Sequence, residues 1–172
     1  IDEKDVELPP YYPDVPMMRR DWANGLEQAQ ITDRNDGKVL AQLERDGLKD
    51  STMVILIGDH GRCMPRGKQF LYDGGIHIPL IIRWPGVTEA GTVSDGLQYH
   101  LDLPPTTLDL LGYDIPEGWS GASFAPALRG EPWEGRDHLV CGTGIWTLQR
   151  CVRTPDHLYI RTLHPGNYNV EP

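Results

Sequence analysis

No run of apolar residues in this chain of 172 approaches the roughly 20 that a membrane-spanning helix needs, so such a span is not expected. Cysteine is scarce: Cys63, Cys141 and Cys151 match no zinc-site spacing, and an odd number leaves at least one unpaired within the chain. They are expected as free thiols, with a Cys141–Cys151 bridge as the alternative. Positive charge is also short. A formal net charge of −9 disfavours nucleic acid or an anionic membrane surface as a partner for the chain as a whole, because both would be repelled at long range. Internal repeats and low-complexity tracts are absent, as are an initiator Met and a signal peptide before Ile1-Asp2-Glu3-Lys4. With an equally abrupt end at Asn169-Val170-Glu171-Pro172, truncation at both ends is expected.

What is there is globular in character, with 39% hydrophobic and 24% charged residues and length enough for one core and a small appended subdomain. The proline-laden opening Leu8-Pro9-Pro10-Tyr11-Tyr12-Pro13-Asp14-Val15-Pro16 suits an extended connector. Over residues 17–48, apolar side chains at Met18, Trp22, Leu26, Ala29, Leu40 and Leu43 recur at helical spacing and Gly47 supplies a stop. Asp33 interrupts this stripe and is expected as a structural, hydrogen-bonded carboxylate. Residues 53–57, Met-Val-Ile-Leu-Ile, suit a buried parallel strand, and residues 79–84 a second strand ending at the Pro85-Gly86 turn. Downstream, Asp102 can cap a helix whose first turn accommodates Pro104 and Pro105 and which Gly112 ends. Residues 138–141, 146–152 and 157–162 suit short strands of an antiparallel sheet.

Between the two apolar strands lies a polar, glycine-punctuated loop, residues 58–78, of a length usually reserved for function. Gly58-Asp59-His60-Gly61 falls at the carboxyl end of the first strand, where open sheets bind ligands. Asp59 offers a hard carboxylate oxygen and His60 an imidazole nitrogen to one ion. Arg62, Arg66 and Lys68 come next, a basic cluster in an acidic chain and a place for an anion beside a cation. Taken alone, each also has a bland reading: a turn cap, a solvated histidine, a solvated loop face. His77, His100 and Tyr72 are secondary candidates, and Trp119, Trp133 and Trp146 read as packing residues.

The ordered series Val54-Ile55-Leu56-Ile57-Gly58-Asp59-His60-Gly61, Arg66-Gly67-Lys68, Leu71-Tyr72-Asp73-Gly74-Gly75-Ile76 and Pro79-Leu80-Ile81-Ile82-Arg83-Trp84-Pro85-Gly86 resembles the metal-and-lysine region of the sulfatase family, in the alkaline phosphatase superfamily. Asp102-Leu103-Pro104-Pro105-Thr106-Thr107-Leu108 and Gly121-Ala122-Ser123-Phe124 resemble the family's next segments along the chain. The resemblance implies an α/β fold, part of an alkaline-phosphatase-like sheet flanked by helices, over residues 1–135, and the start of a small antiparallel β subdomain over residues 136–172. It implies that Asp59 and His60 bind a divalent metal, calcium foremost, although many members carry Asn where His60 stands. Lys68 would contact sulfate as a catalytic group, with His77 as a further substrate contact.

The family's nucleophile, a formylglycine made from a Cys/Ser-x-Pro-x-Arg motif, is expected outside these residues. Cys63-Met64-Pro65-Arg66 is not that motif, since Gly67 stands where arginine is needed. The implied parent is a sulfuric ester hydrolase acting on a sulfated small molecule or carbohydrate and exported, with this part inactive alone. Rivals are a phosphodiesterase or phosphonate monoester hydrolase of the same superfamily, or a non-catalytic degenerate fragment.

Overall fold

The structure, a computed structural model, describes residues 1–8, 10, 14–63, 66–143 and 148–163. The architecture is α/β, a long helix and several short ones with two small sheets. Helix α1 (Pro16–Arg45) opens on a proline, which has no N–H to leave unsatisfied in the first turn. It stops as the sequence predicts: Gly47 takes φ 68° and Leu48 N–H donates to the Leu43 carbonyl at 2.9 Å. Its apolar stripe is covered only in part. Ala23 is buried and Met18, Trp22, Ala41 and Leu43 are half-buried, whereas Leu26, Ala29 and Leu40 are exposed. Asp33 is exposed too, so the structural contact expected of it is not made. No described helix is long and apolar enough to cross a membrane.

Strand β1 (Val54–Ile57) pairs with β2 (Leu80–Arg83), Val54 opposite Arg83 and Ile57 opposite Leu80. The run was expected as a parallel strand, but this partner runs antiparallel. Among its described residues the connection holds only the single turn α2 (Asp73–Ile76), so it has no long helix of the kind that usually carries a chain back to a parallel start.

Beyond β2 the chain gathers its most buried residues. Helix α3 (Leu103–Leu110) and the short α4 (Ala125–Leu128) bring Pro105, Thr106, Phe124, Ala125 and Leu128 together. Asp102 precedes α3 but its carboxylate does not cap it. Instead it accepts from Tyr99 N–H (3.1 Å), Ala122 N–H (2.7 Å) and the Arg136 guanidinium (2.5 Å). The Thr106 hydroxyl donates to the Asp102 carbonyl and accepts from Phe124 N–H, extending the knot. Trp133 packs against Phe124, as expected of a packing residue, while Trp119 is exposed and Trp146 lies outside the described residues.

The last three strands, β3 (Leu139–Thr143), β4 (Gln149–Arg153) and β5 (Leu158–Thr162), form the expected antiparallel sheet in that order. Alternation sorts their side chains: Leu139, Cys141, Gln149, Cys151 and Ile160 face the covered side, and Val140, Val152 and Tyr159 the exposed one.

Candidate active site

Gly58 N–H donates to the Pro79 carbonyl at 3.0 Å, closing the β1–β2 ladder, so Asp59 is the first residue beyond the sheet. The loop then folds back on itself through its backbone. Gly61 N–H donates to the Gly75 carbonyl (3.0 Å), and Lys68 N–H to the Arg62 carbonyl (2.8 Å). Glycine is required for this approach. A Cβ on Gly61 would collide with the Gly74 carbonyl oxygen, and one on Gly75 with the carbonyl oxygens of Phe70 and Gly67. Leu71, buried, anchors the loop to the interior. Arg66 and Gln69 adopt φ of 60° and 76°, conformations unfavourable for side chains other than glycine's and concentrated at functional loops.

The Asp59 side chain is 87% exposed, and its Oδ1 accepts from His60 N–H at 3.0 Å. His60 Nδ1 lies 2.7 Å from the Gly61 carbonyl. A carbonyl only accepts, so Nδ1 carries the hydrogen, and neutral His60 presents its lone pair at Nε2. That nitrogen stands 3.4 Å from Asp59 Oδ2. Two acceptors at that separation converge on a place for a cation, and the Gly61 carbonyl is the kind of backing partner that orients a ligating histidine. The donor set therefore fits a divalent ion. Three or more clustered His, Cys, Asp or Glu side chains do not occur among the described residues, so Asp59 and His60 by themselves fall short of a full ligand set.

The three expected cations are deployed differently. The Arg62 guanidinium stacks 4.3 Å from the Trp22 ring centroid on α1, and that of Arg66 lies 5.4 Å from the Tyr72 ring. Lys68 is exposed, and no carboxylate among the described residues pairs with it. Tyr72, a secondary candidate, stands exposed at the N-terminal end of α2. His77 is exposed at its other end, where its N–H donates to the Asp73 carbonyl at 2.8 Å. His100 Nε2 donates to the Gly58 carbonyl at 2.9 Å, tying the turn before α3 to the residue next to Asp59. Sequence reasoning missed the Arg62–Trp22 contact, which spans 40 positions and has no local signature. It also missed the Arg153–Asp73 pair (3.7 Å), which brings the C-terminal sheet against α2.

Comparison with known proteins gives the same region a context. The model of the family described as Sulfatase matches residues 10–113. An ulvan-active sulfatase of Formosa agariphila is 38% identical over 162 residues, 92% of this chain but only 27% of that protein. A solved protein in complex with its substrate D-glucosamine-2-N,6-O-disulfate superposes with a TM-score of 0.71 at 27% identity, over 77% of this chain and 30% of the other. A phosphonate monoester hydrolase of Silicibacter pomeroyi superposes with a TM-score of 0.68 at 28% identity, over 88% of this chain and 36% of the other. The chain thus spans about a third or less of the length of these relatives.

Proposed function

This chain belongs to the sulfatase family, and from that membership we propose that the whole protein is a sulfuric ester hydrolase that removes sulfate from a sulfated carbohydrate. The observation that carries the proposal is the pairing, on one glycine-wound loop, of the convergent Asp59–His60 acceptors with the exposed ammonium of Lys68. Asp59 Oδ2 and His60 Nε2 would hold a divalent cation, with calcium the first choice for the carboxylate and the imidazole widening the choice toward transition metals. A bound cation supplies Lewis-acid polarisation of the sulfate oxygens. Lys68 contacts those oxygens and offsets the negative charge that grows on sulfate and on the departing oxygen. His77 contributes a substrate contact from the end of α2. The formylglycine nucleophile comes from residues outside this chain. Export to a periplasmic, extracellular or lysosomal-type compartment belongs to the same proposal, as does the absence of a nucleic-acid partner.

In the full-length protein, Lys68→Ala should lower kcat on a sulfated sugar by about 100-fold or more, the scale of losing one charge-stabilising donor. Because Lys68 is exposed, its melting temperature should stay within a degree or two of the parent's. Unchanged turnover would remove the assignment. The likeness to a phosphonate monoester hydrolase supports a second reading, in which the same cation and lysine serve a phosphonate ester. Assaying one preparation against an aryl sulfate and an aryl phosphonate separates the two.

A further inference from the structure

Cys141 of β3 and Cys151 of β4 stand directly opposite each other in the antiparallel register. Opposed residues project from the same face of a sheet. Their Cα atoms lie about 4.5 or 5.5 Å apart depending on the ladder position, and both spacings fall inside the roughly 4.4–6.8 Å that a disulfide spans. Both are free thiols in this structure, Cys151 buried at 1% exposure and Cys141 half-buried. The Cys141 thiol is pushed up to about 11, by burial first and then by the neighbouring Cys151. The two side chains therefore lie opposite each other on the covered face of the sheet. Cys63, exposed in the loop beyond β1, belongs to a different part of the fold.

We propose that Cys141 and Cys151 form a cross-strand disulfide when the protein meets a low-molecular-weight disulfide such as oxidised glutathione. The less buried Cys141 loses its proton and attacks one sulfur of the oxidant, breaking that S–S bond and releasing one small thiol. Cys151 then loses its proton and attacks the Cys141 sulfur of the mixed disulfide, forming the protein S–S bond and releasing the second small thiol. Two electrons pass from the cysteines to the small disulfide, and their two protons end on the released thiols. The bond locks β3 to β4. Two residues along the same face of β4, Arg153 Nε reaches Asp73 of α2 at 3.7 Å, so the locked strand is also the one that braces the active-site loop. The inference rests on the sheet alone and stands apart from the proposed activity.

Trypsin makes the test direct, because cleavage after Arg136, Arg150 and Arg153 places the two cysteines on separate peptides, residues 137–150 and 151–153. The full-length protein is incubated for hours with oxidised glutathione, its remaining thiols are blocked, and the digest is weighed by mass spectrometry. A linked species two hydrogens lighter than the sum of the peptides, lost on reduction, is expected. The oxidised protein should also melt higher than the reduced one, by about 5–10 °C if the surrounding unit melts with the size of a domain of this length, with the difference abolished in Cys141→Ser. Recovery of both peptides separately blocked, of each carrying its own glutathione, or of Cys141 joined to another cysteine would overturn the proposal.

Discussion

Burying a carboxylate costs free energy unless donors replace the water it loses, and Asp102, only 2% exposed, is matched by two backbone N–H groups and the fork of Arg136. The same contact raises the Arg136 pKa above its ordinary value, chiefly through the hydrogen bond to Asp102. The guanidinium also donates to the Ser120 carbonyl and lies 4.7 Å from the Tyr99 ring centroid, so one ion pair joins the turn before α3 to residues 120–122 and 136. Asp102→Ala in the full-length protein should cost about 3 kcal/mol, the low end for breaking a buried pair, since the Arg136 side chain is 27% exposed and recovers some water. A thermal melt reads this as a fall on the order of 10 °C if the surrounding unit melts with the size of a domain of this length. Since the same turn carries His100 to the Gly58 carbonyl, part of the loss should also appear in calorimetry with calcium as weaker binding at the site proposed on Asp59.

The loop between β1 and β2 owes its shape to backbone meeting backbone, so glycine substitutions there and on α1 should behave oppositely. Gly75→Ala places a methyl group against two carbonyl oxygens and should release the turn that sets Lys68 beside Arg62, costing the full-length protein most of the proposed turnover of a sulfated sugar. Gly37→Ala, mid-helix with nothing within 4 Å, should stabilise by about 0.5–1 kcal/mol through helix propensity. Thermal melts and steady-state kinetics on both variants check the contrast. The elements themselves were legible in the sequence because their signals are local: the stripe and Gly47 stop of α1, the β-branched runs of β1 and β2, and the alternation of β3 to β5. Direction and partner were not. The pairing of β1 depends on how the intervening residues return, and the carboxylate of Asp102, read as a cap, is claimed by groups 20 and 34 positions away. Likewise the glycines of the loop announced a turn, but which carbonyls crowd Gly61 and Gly75 is a matter of tertiary structure. The Asp59-His60 pair was visible by position, whereas the Nδ1 contact that frees Nε2 appears only in three dimensions.

Across the whole molecule, apolar surface is left uncovered on both faces of the β1–β2 ribbon. Leu56 and Ile81 are opposed on one face and Ile55 and Ile82 on the other, and of these Ile55, Leu56 and Ile81 are exposed. Among the described residues each strand of the pair has one strand neighbour, leaving its outer edge without a ladder partner there. Exposed Leu26, Val39 and Leu40 add further apolar area on α1. These 172 residues expressed alone should therefore self-associate at micromolar concentration and bind a hydrophobic dye, as sedimentation velocity and dye fluorescence would register. Replacing Leu56 and Ile81 together by lysine removes one apolar face and places two like charges opposite each other, so it should reduce association even at some cost to pairing. If instead these 172 residues, unsubstituted, sediment as a monomer and melt cooperatively, the ribbon tolerates water and its exposed faces need no covering partner.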